Sequence, residues 1–207
     1  MKLTKCIPVV LLILLIASAC KEDDNGLKVQ AHNDNEMMSI MHTMNTQMEA
    51  MPMTGDADHD FASMMIIHHQ GAIDMANTEL GKGKDATIKE MAQRIIDKQT
   101  VEKAELATWL QTHTPVSDAE GQAFDSEMME VMKKMKNWKD IQVLTGNTDH
   151  DFSELMIVHH QTAADNAGSI LHHGHHDNIK EMAKMMITDQ NKEITDFSAW
   201  LITNKGY

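Results

Sequence analysis

The sequence predicts an all-α protein, a four-helix bundle made from one unit written twice. Three observations predict it. A long segment returns at a constant offset of 91 residues, so that Asp58 to Asp74 matches Asp149 to Asp165 without a gap. Apolar residues in each copy recur at helical spacing. No alternating run of β-branched residues is long enough to argue for a strand.

The chain of 207 residues has a net charge of −13, which repels phosphates, so no nucleic-acid partner is expected. Aromatics are 4% of the residues, whereas there are 20 Met and 13 His. Met is then the main adaptable core filler, a metal ligand, or both. The two Cys, Cys6 and Cys20, lie in the first twenty residues, so neither a disulfide framework nor a Cys-based zinc site fits the body of the chain.

Residues 1–19 read as a lipoprotein signal peptide. Lys2 and Lys5 precede the apolar run Ile7 to Ile16, then small Ala17, Ser18 and Ala19 lead into Cys20. The run is short for a membrane span. Cys20 is the expected lipidation site and membrane attachment, which places the protein in a bacterial cell envelope, periplasmic or surface-exposed. Residues 20–33 form an acidic tether.

The first copy spans 34–113. Its first helix is short, with Met37, Met41, Met44, Met48 and Met51 on one face. Pro52 and Gly55 stop it. The second helix starts near Asp58 or Asp60, as capping residues, and ends at Gly81 and Gly83. The third runs from about Ala86 to Thr112. Residues 114–124 connect the copies, with Ser117 and Glu120 in a capping-box pattern. The second copy, 125–204, repeats the plan. Whether the copies pair within one chain or across a homodimer is open at this level.

Helix two of the first copy gathers Phe61, Met65, His68, His69, Ala72, Met75 and Ala76 on one face. The second copy has Phe152, Met156, His159, His160, Ala163 and Ala167 there, with Asn166 at the Met75 position. Helix three adds Gln99 and Glu102, matched by Gln190 and Glu193. Each apolar face therefore carries two His, a Gln and a Glu. An unpartnered buried carboxylate costs several kcal/mol. Either these groups form an inert hydrogen-bonded network, or the imidazoles bind metal while Glu and Gln set the ring tautomers from behind. Met65 and Met156 sit one turn before His68 and His159. Thioethers are poor ligands for hard cations and good ones for Cu(I), so the set favours copper, with silver as a relative. Zinc stays open because His alone suits it.

Other features are less directed. The Met stripes, with His42 beside Met38, read first as core packing. His172, His173, His175 and His176 make a His-rich tract between helices two and three of the second copy, an accessory metal site at most. His59 and His150 sit near helix starts as outer ligands. Asp74, Asp165, Gln70 and Gln161 lie on the far side of helix two.

The pattern Asp-x-x-Phe-x-x-x-Met-x-x-His-His-x-x-Ala-x-x-Met-Ala, Asp58 to Ala76, resembles the domain of unknown function 305 (DUF305) family. So do the Ile-Lys-x-Met-Ala, Gln-x-x-Glu and Trp-Leu elements downstream. The resemblance implies a ferritin-like four-helix bundle with two short Met-rich flanking helices, in exported bacterial proteins. Some relatives are periplasmic copper-binding proteins. Carried onto this chain, the metal candidates are Met65, His68, His69, Met75, Met156, His159 and His160. Leu106 and Phe197 stand where relatives often have Met, and Asn166 replaces another.

The leading expectation is an envelope-anchored copper-sequestering or delivery protein. No nucleophile constellation or phosphate loop supports hydrolysis or phosphoryl transfer, so an enzyme is not expected. The alternatives are a ferritin-like di-metal oxidase with Glu102 and Glu193 bridging, although the Glu-x-x-His motif is missing, or a structural bundle with satisfied buried His.

Overall fold

The computed structural model describes residues 29–205. The expected signal peptide, the expected lipidation site Cys20 and most of the expected tether lie outside the described residues. After a short 3-10 turn at His32–Asp34 come six helices: α1 Glu36–Glu49, α2 Ala57–Lys82, α3 Ala86–Leu110, α4 Ala119–Asp140, α5 Thr148–His173 and α6 Asp177–Thr203. There is no strand among the described residues. None of the described helices is long and apolar enough to cross a membrane.

The bundle is all-α and ferritin-like in its four long helices. α2 pairs with α3, α5 pairs with α6, and the two hairpins meet through α2 and α5. The copies thus pack against each other within one chain. α1 and α4 lie on the α2–α5 pair. α1 has 14 residues. α4 has 22, because it takes in the end of the connector.

Local chemistry explains the helix starts. Asn35, Asp56, Asp85, Asp118 and Asn147 each accept a backbone N–H from the first turn that follows. The expected caps Asp58, Asp60 and Ser117 are displaced: Asp56 caps α2 and Asp118 caps α4. α2 ends at Lys82 with Gly83 after it, and Gly81 lies inside the helix.

Asp58 and Asp60 are instead buried in the first turn of α2, with distinct tasks. Asp60 holds the loop before its own helix, accepting from the amides of Thr54 at 2.8 Å and Gly55 at 2.9 Å. Asp151 does the same for Thr145 and Gly146. Gly55 and Gly146 have φ of 74° and 77°, conformations that an L side chain would strain. Asp58 reaches into the other copy, accepting from the amide of His175 at 2.7 Å. Asp149 returns the gesture, accepting from the amides of Lys84 and Asp85 at 2.8 Å each. Each copy clamps the other's hairpin turn.

The core is rich in Met, as its unbranched chains fill irregular gaps. Met37, Met38, Met41, Met44 and Met48 of α1 are buried, as are Met128, Met132 and Met135 of α4. Each full burial contributes about 1.5–3 kcal/mol. The stripes pack as core, with Phe61 edge-on to Phe124 and Phe152 edge-on to Phe197.

Candidate metal centre

Where α2 meets α5, the four imidazoles of His68, His69, His159 and His160 are fully buried. The rings of His68 and His159 lie 3.6 Å apart, tilted by 34°. His69 is 6.4 Å from His68, and His160 is 5.7 Å from His159, ring centre to ring centre. The two His-His pairs therefore converge across the interface between the copies. They do so because both pairs occupy the same register of helices that cross there.

Their hydrogen bonding is incomplete. Nε2 of His159 donates to the backbone carbonyl of His68 at 3.0 Å, which leaves the lone pair of His159 on Nδ1. That Nδ1 has no partner. Both ring nitrogens of His68 are buried and unpartnered. Burial, with the neighbouring His69 and His160, holds His68 well below the usual imidazole range. Burial, with His68 and His160, does the same for His159. Both rings are neutral at pH 7, the state in which imidazole binds a metal. A neutral imidazole still carries one N–H, and an unmatched one costs about 1–3 kcal/mol when buried.

Carboxylates stand behind the outer rings. Glu102 Oε2 is 3.2 Å from Nε2 of His69, and Glu193 Oε2 is 2.9 Å from Nε2 of His160. Neither contact has the alignment of a ring N–H hydrogen bond. Gln99 and Gln190 are also buried, with the Gln99 carbonyl and the whole Gln190 amide unpartnered. Met65, Met75 and Met156 are fully buried on the same helices. Asn166, at the Met75 position, is buried and donates to the Thr162 carbonyl at 3.1 Å. Glu193 also lines a cleft of about 530 Å³ between α3 and α6, with Lys98, Asp189 and Lys192. Among the described residues, no three His, Asp or Glu side chains already stand in a metal-holding arrangement.

The rings of the His-rich tract lie among carboxylates of α2 and of α4 with its N-cap. His172 and His173 end α5, and His176 precedes α6. Each partnered ring has its own carboxylate: His173 with Glu120 and Glu127, His175 with Asp118, His176 with Asp58. His42 lies at the surface, 3.7 Å from Asp140. Gln70 and Gln161 bond to Asp74 and Asp165 one turn on. His150 sits 3.6 Å from Glu154, and burial lowers its pKa.

The sequence reading missed His113. It lies past the end of α3, 2.9 Å from Asp56, with its ring stacked on Trp109 at 4.2 Å. The available signal was a break in the repeat, since the second copy has Asn204 at that position. Glu79 was missed as well. It is buried, and burial together with Asp149 pushes its pKa up to about 8.

A family model described as a domain of unknown function (DUF305) matches residues 16–110 and again 58–201. No curated protein matches the chain. Among solved structures, CopM in its Cu(I)-bound form is 27% identical, with a TM-score of 0.55 over 72% of this chain and 98% of that one. The Ag-bound form of CopM obtained by soaking is 28% identical, with a TM-score of 0.54 over 70% of this chain and 95% of that one. The Cu(II)-bound form gives 28% identity and a TM-score of 0.54, over 70% and 96%. A DUF305 protein from Streptomyces coelicolor shares the fold, with a TM-score of 0.58 at 21% identity over 73% of this chain and 95% of that one.

Proposed function

The chain belongs to the DUF305 family, and we propose that it is an envelope-anchored protein that sequesters or delivers copper, in the Cu(I) state above all, at the junction of its two copies. One observation carries the reading. Four fully buried imidazoles, two from each copy, meet with ring nitrogens that have no protein partner. Burial without partners is costly for a structural network and useful for a ligand set, because an incoming ion satisfies the lone pairs. His159 is already held in one tautomer by the His68 carbonyl.

The donor types support a soft ion. Imidazole and thioether together suit Cu(I) and Ag(I) better than iron or calcium. Glu102 and Glu193 supply negative charge beside the outer rings, which offsets the desolvation of a buried cation. Lying at the inner side of the α3–α6 cleft, Glu193 offers a path from solvent to His160. Silver follows from the same softness, and CopM is described with copper and silver. Anchoring through Cys20 would keep the sink where exported metal accumulates.

Titration with Cu(I) under reducing conditions, followed by X-ray absorption, tests the reading. Stoichiometric uptake with nitrogen and sulfur neighbours is expected. In a His68→Ala/His69→Ala variant, uptake should weaken while helical content persists. Wild-type protein that takes up no Cu(I) would overturn the proposal. So would a variant that retains full affinity.

A further inference from the structure

One end of the bundle gathers a second set of imidazoles, at the start of α2, past the end of α3 and at the start of α6. Nε2 of His113 donates to Oδ2 of Asp56 at 2.9 Å. The same carboxylate also accepts from the amides of Val116 and His59. The proton of His113 is thereby fixed on Nε2, and its lone pair sits on Nδ1. Nδ1 of His176 donates to Oδ2 of Asp58 at 3.0 Å, leaving the lone pair on Nε2. His59 places Nδ1 3.4 Å from Asp60, leaving Nε2. A carboxylate behind each imidazole fixes its tautomer and ring orientation, as behind metal-bound His.

Two imidazoles sharing a tetrahedral ion at about 2.0–2.1 Å have ring centres roughly 5–5.5 Å apart. His113 and His176, 4.9 Å apart, fit that spacing nearly as they stand, whereas His59, 6.1 Å from His113 and partly exposed, has to swing inward to join them. Trp109 stacks on His113 and meets His176 edge-on, which holds both rings. The His113 side chain is 12% exposed and that of His176 43%, so solvent reaches the trio.

The duplication supplies an internal comparison. At the opposite end, His59 and Trp109 return as His150 and Trp200, but His113 is replaced by Asn204 and His176 by Asp85. The scaffold recurs, and three imidazoles gather at one end alone. We propose that His59, His113 and His176 form a second cation site, distinct from the buried pairs, that takes a borderline divalent ion such as Cu2+ or Zn2+. Its donors are nitrogens, with no thioether in the trio, so its preference differs from that of the core.

The test uses the full chain and a His113→Asn/His176→Asp variant, which installs residues the fold already carries at its other end. Zn2+ is titrated by calorimetry and Cu2+ by electron paramagnetic resonance. The wild type should bind one more Zn2+ or Cu2+ equivalent than the variant, with imidazole nitrogen couplings in the Cu2+ spectrum. In the variant that equivalent should weaken at least tenfold, while Cu(I) uptake under reductant is unchanged. Equal divalent stoichiometry and affinity in the two proteins overturns the proposal, as does parallel loss of Cu(I) uptake, which would make the sites one. If neither protein takes up Cu(I) but the divalent difference persists, the core reading fails and this one stands. Should the double variant unfold, His113→Asn alone gives the same reading.

Discussion

Replacing Asp58 by Ala should release the turn between α5 and α6, although Asp58 belongs to the other copy. Its carboxylate is fully buried and accepts from the His175 amide at 2.7 Å and the His176 ring at 3.0 Å. A hydrogen bond from a backbone amide to a charged, buried acceptor is worth about 1.5–3 kcal/mol net. The bond to the half-exposed His176 ring is screened and adds about 0.5–1 kcal/mol. Removing the carboxylate also removes its desolvation cost, so the sum, about 2–4 kcal/mol, is an upper range. Asp58→Asn keeps one acceptor oxygen and should lose about half as much. Urea unfolding measures the loss, and hydrogen exchange reads the His175 amide directly. A loss under about 1 kcal/mol with unchanged protection at His175 would refute the idea that the copies lock each other's turns.

Two further predictions follow from packing and charge. A Cβ added at Gly121 would sit 1.7 Å from the Gly55 carbonyl oxygen and 2.3 Å from its carbon, so Gly121→Ala must lift the start of α4 off that backbone. It should cost about 1–3 kcal/mol or more, whereas Gly81→Ala, facing open space inside α2, should be neutral or stabilising; equal melting temperatures for the two would contradict this. Glu79 is protonated in the folded protein up to about pH 8 and ionises near the ordinary carboxyl value of 4.5 when unfolded, so its contribution is full below pH 4.5 and is lost as pH rises through 8. His68 and His159 run the other way: held below the ordinary imidazole value of 6.5, they contribute stability above pH 6.5 that is lost as pH falls. Thermal melts across pH 5–8 should show Glu79→Gln gaining on the wild type toward pH 8, and a gap that does not change with pH would refute the assignment.

Much of the fold was legible because helical periodicity is local and the duplication repeats it. The spacing of Met37, Met41, Met44 and Met48, and of Phe61, Met65, His68 and Ala72, places each set on one face. The helix ends were read less well. Asp58 and Asp60 look like caps in sequence, but Asp56 does the capping, and the following Asp residues are bound to partners that only the folded chain brings near. Sequence spacing also placed His68 and His69 on a buried face without showing what lay opposite. His113 and Glu79 were invisible for a related reason: the partners that give them meaning, Asp56 and Trp109 for one and Asp149 for the other, are set by packing between elements.

The sequence by itself determined the helical class, the duplication, and the presence of imidazole and thioether donors on apolar faces, since these depend on residue type and on a fixed rotation per residue. The tertiary structure alone decided that α2 crosses α5 so that His68 meets His159, that Asp58 and Asp149 exchange clamps, and that three imidazoles gather at one end but not the other. Those outcomes depend on which faces meet between segments some 90 residues apart, and no local rule of the chain fixes that.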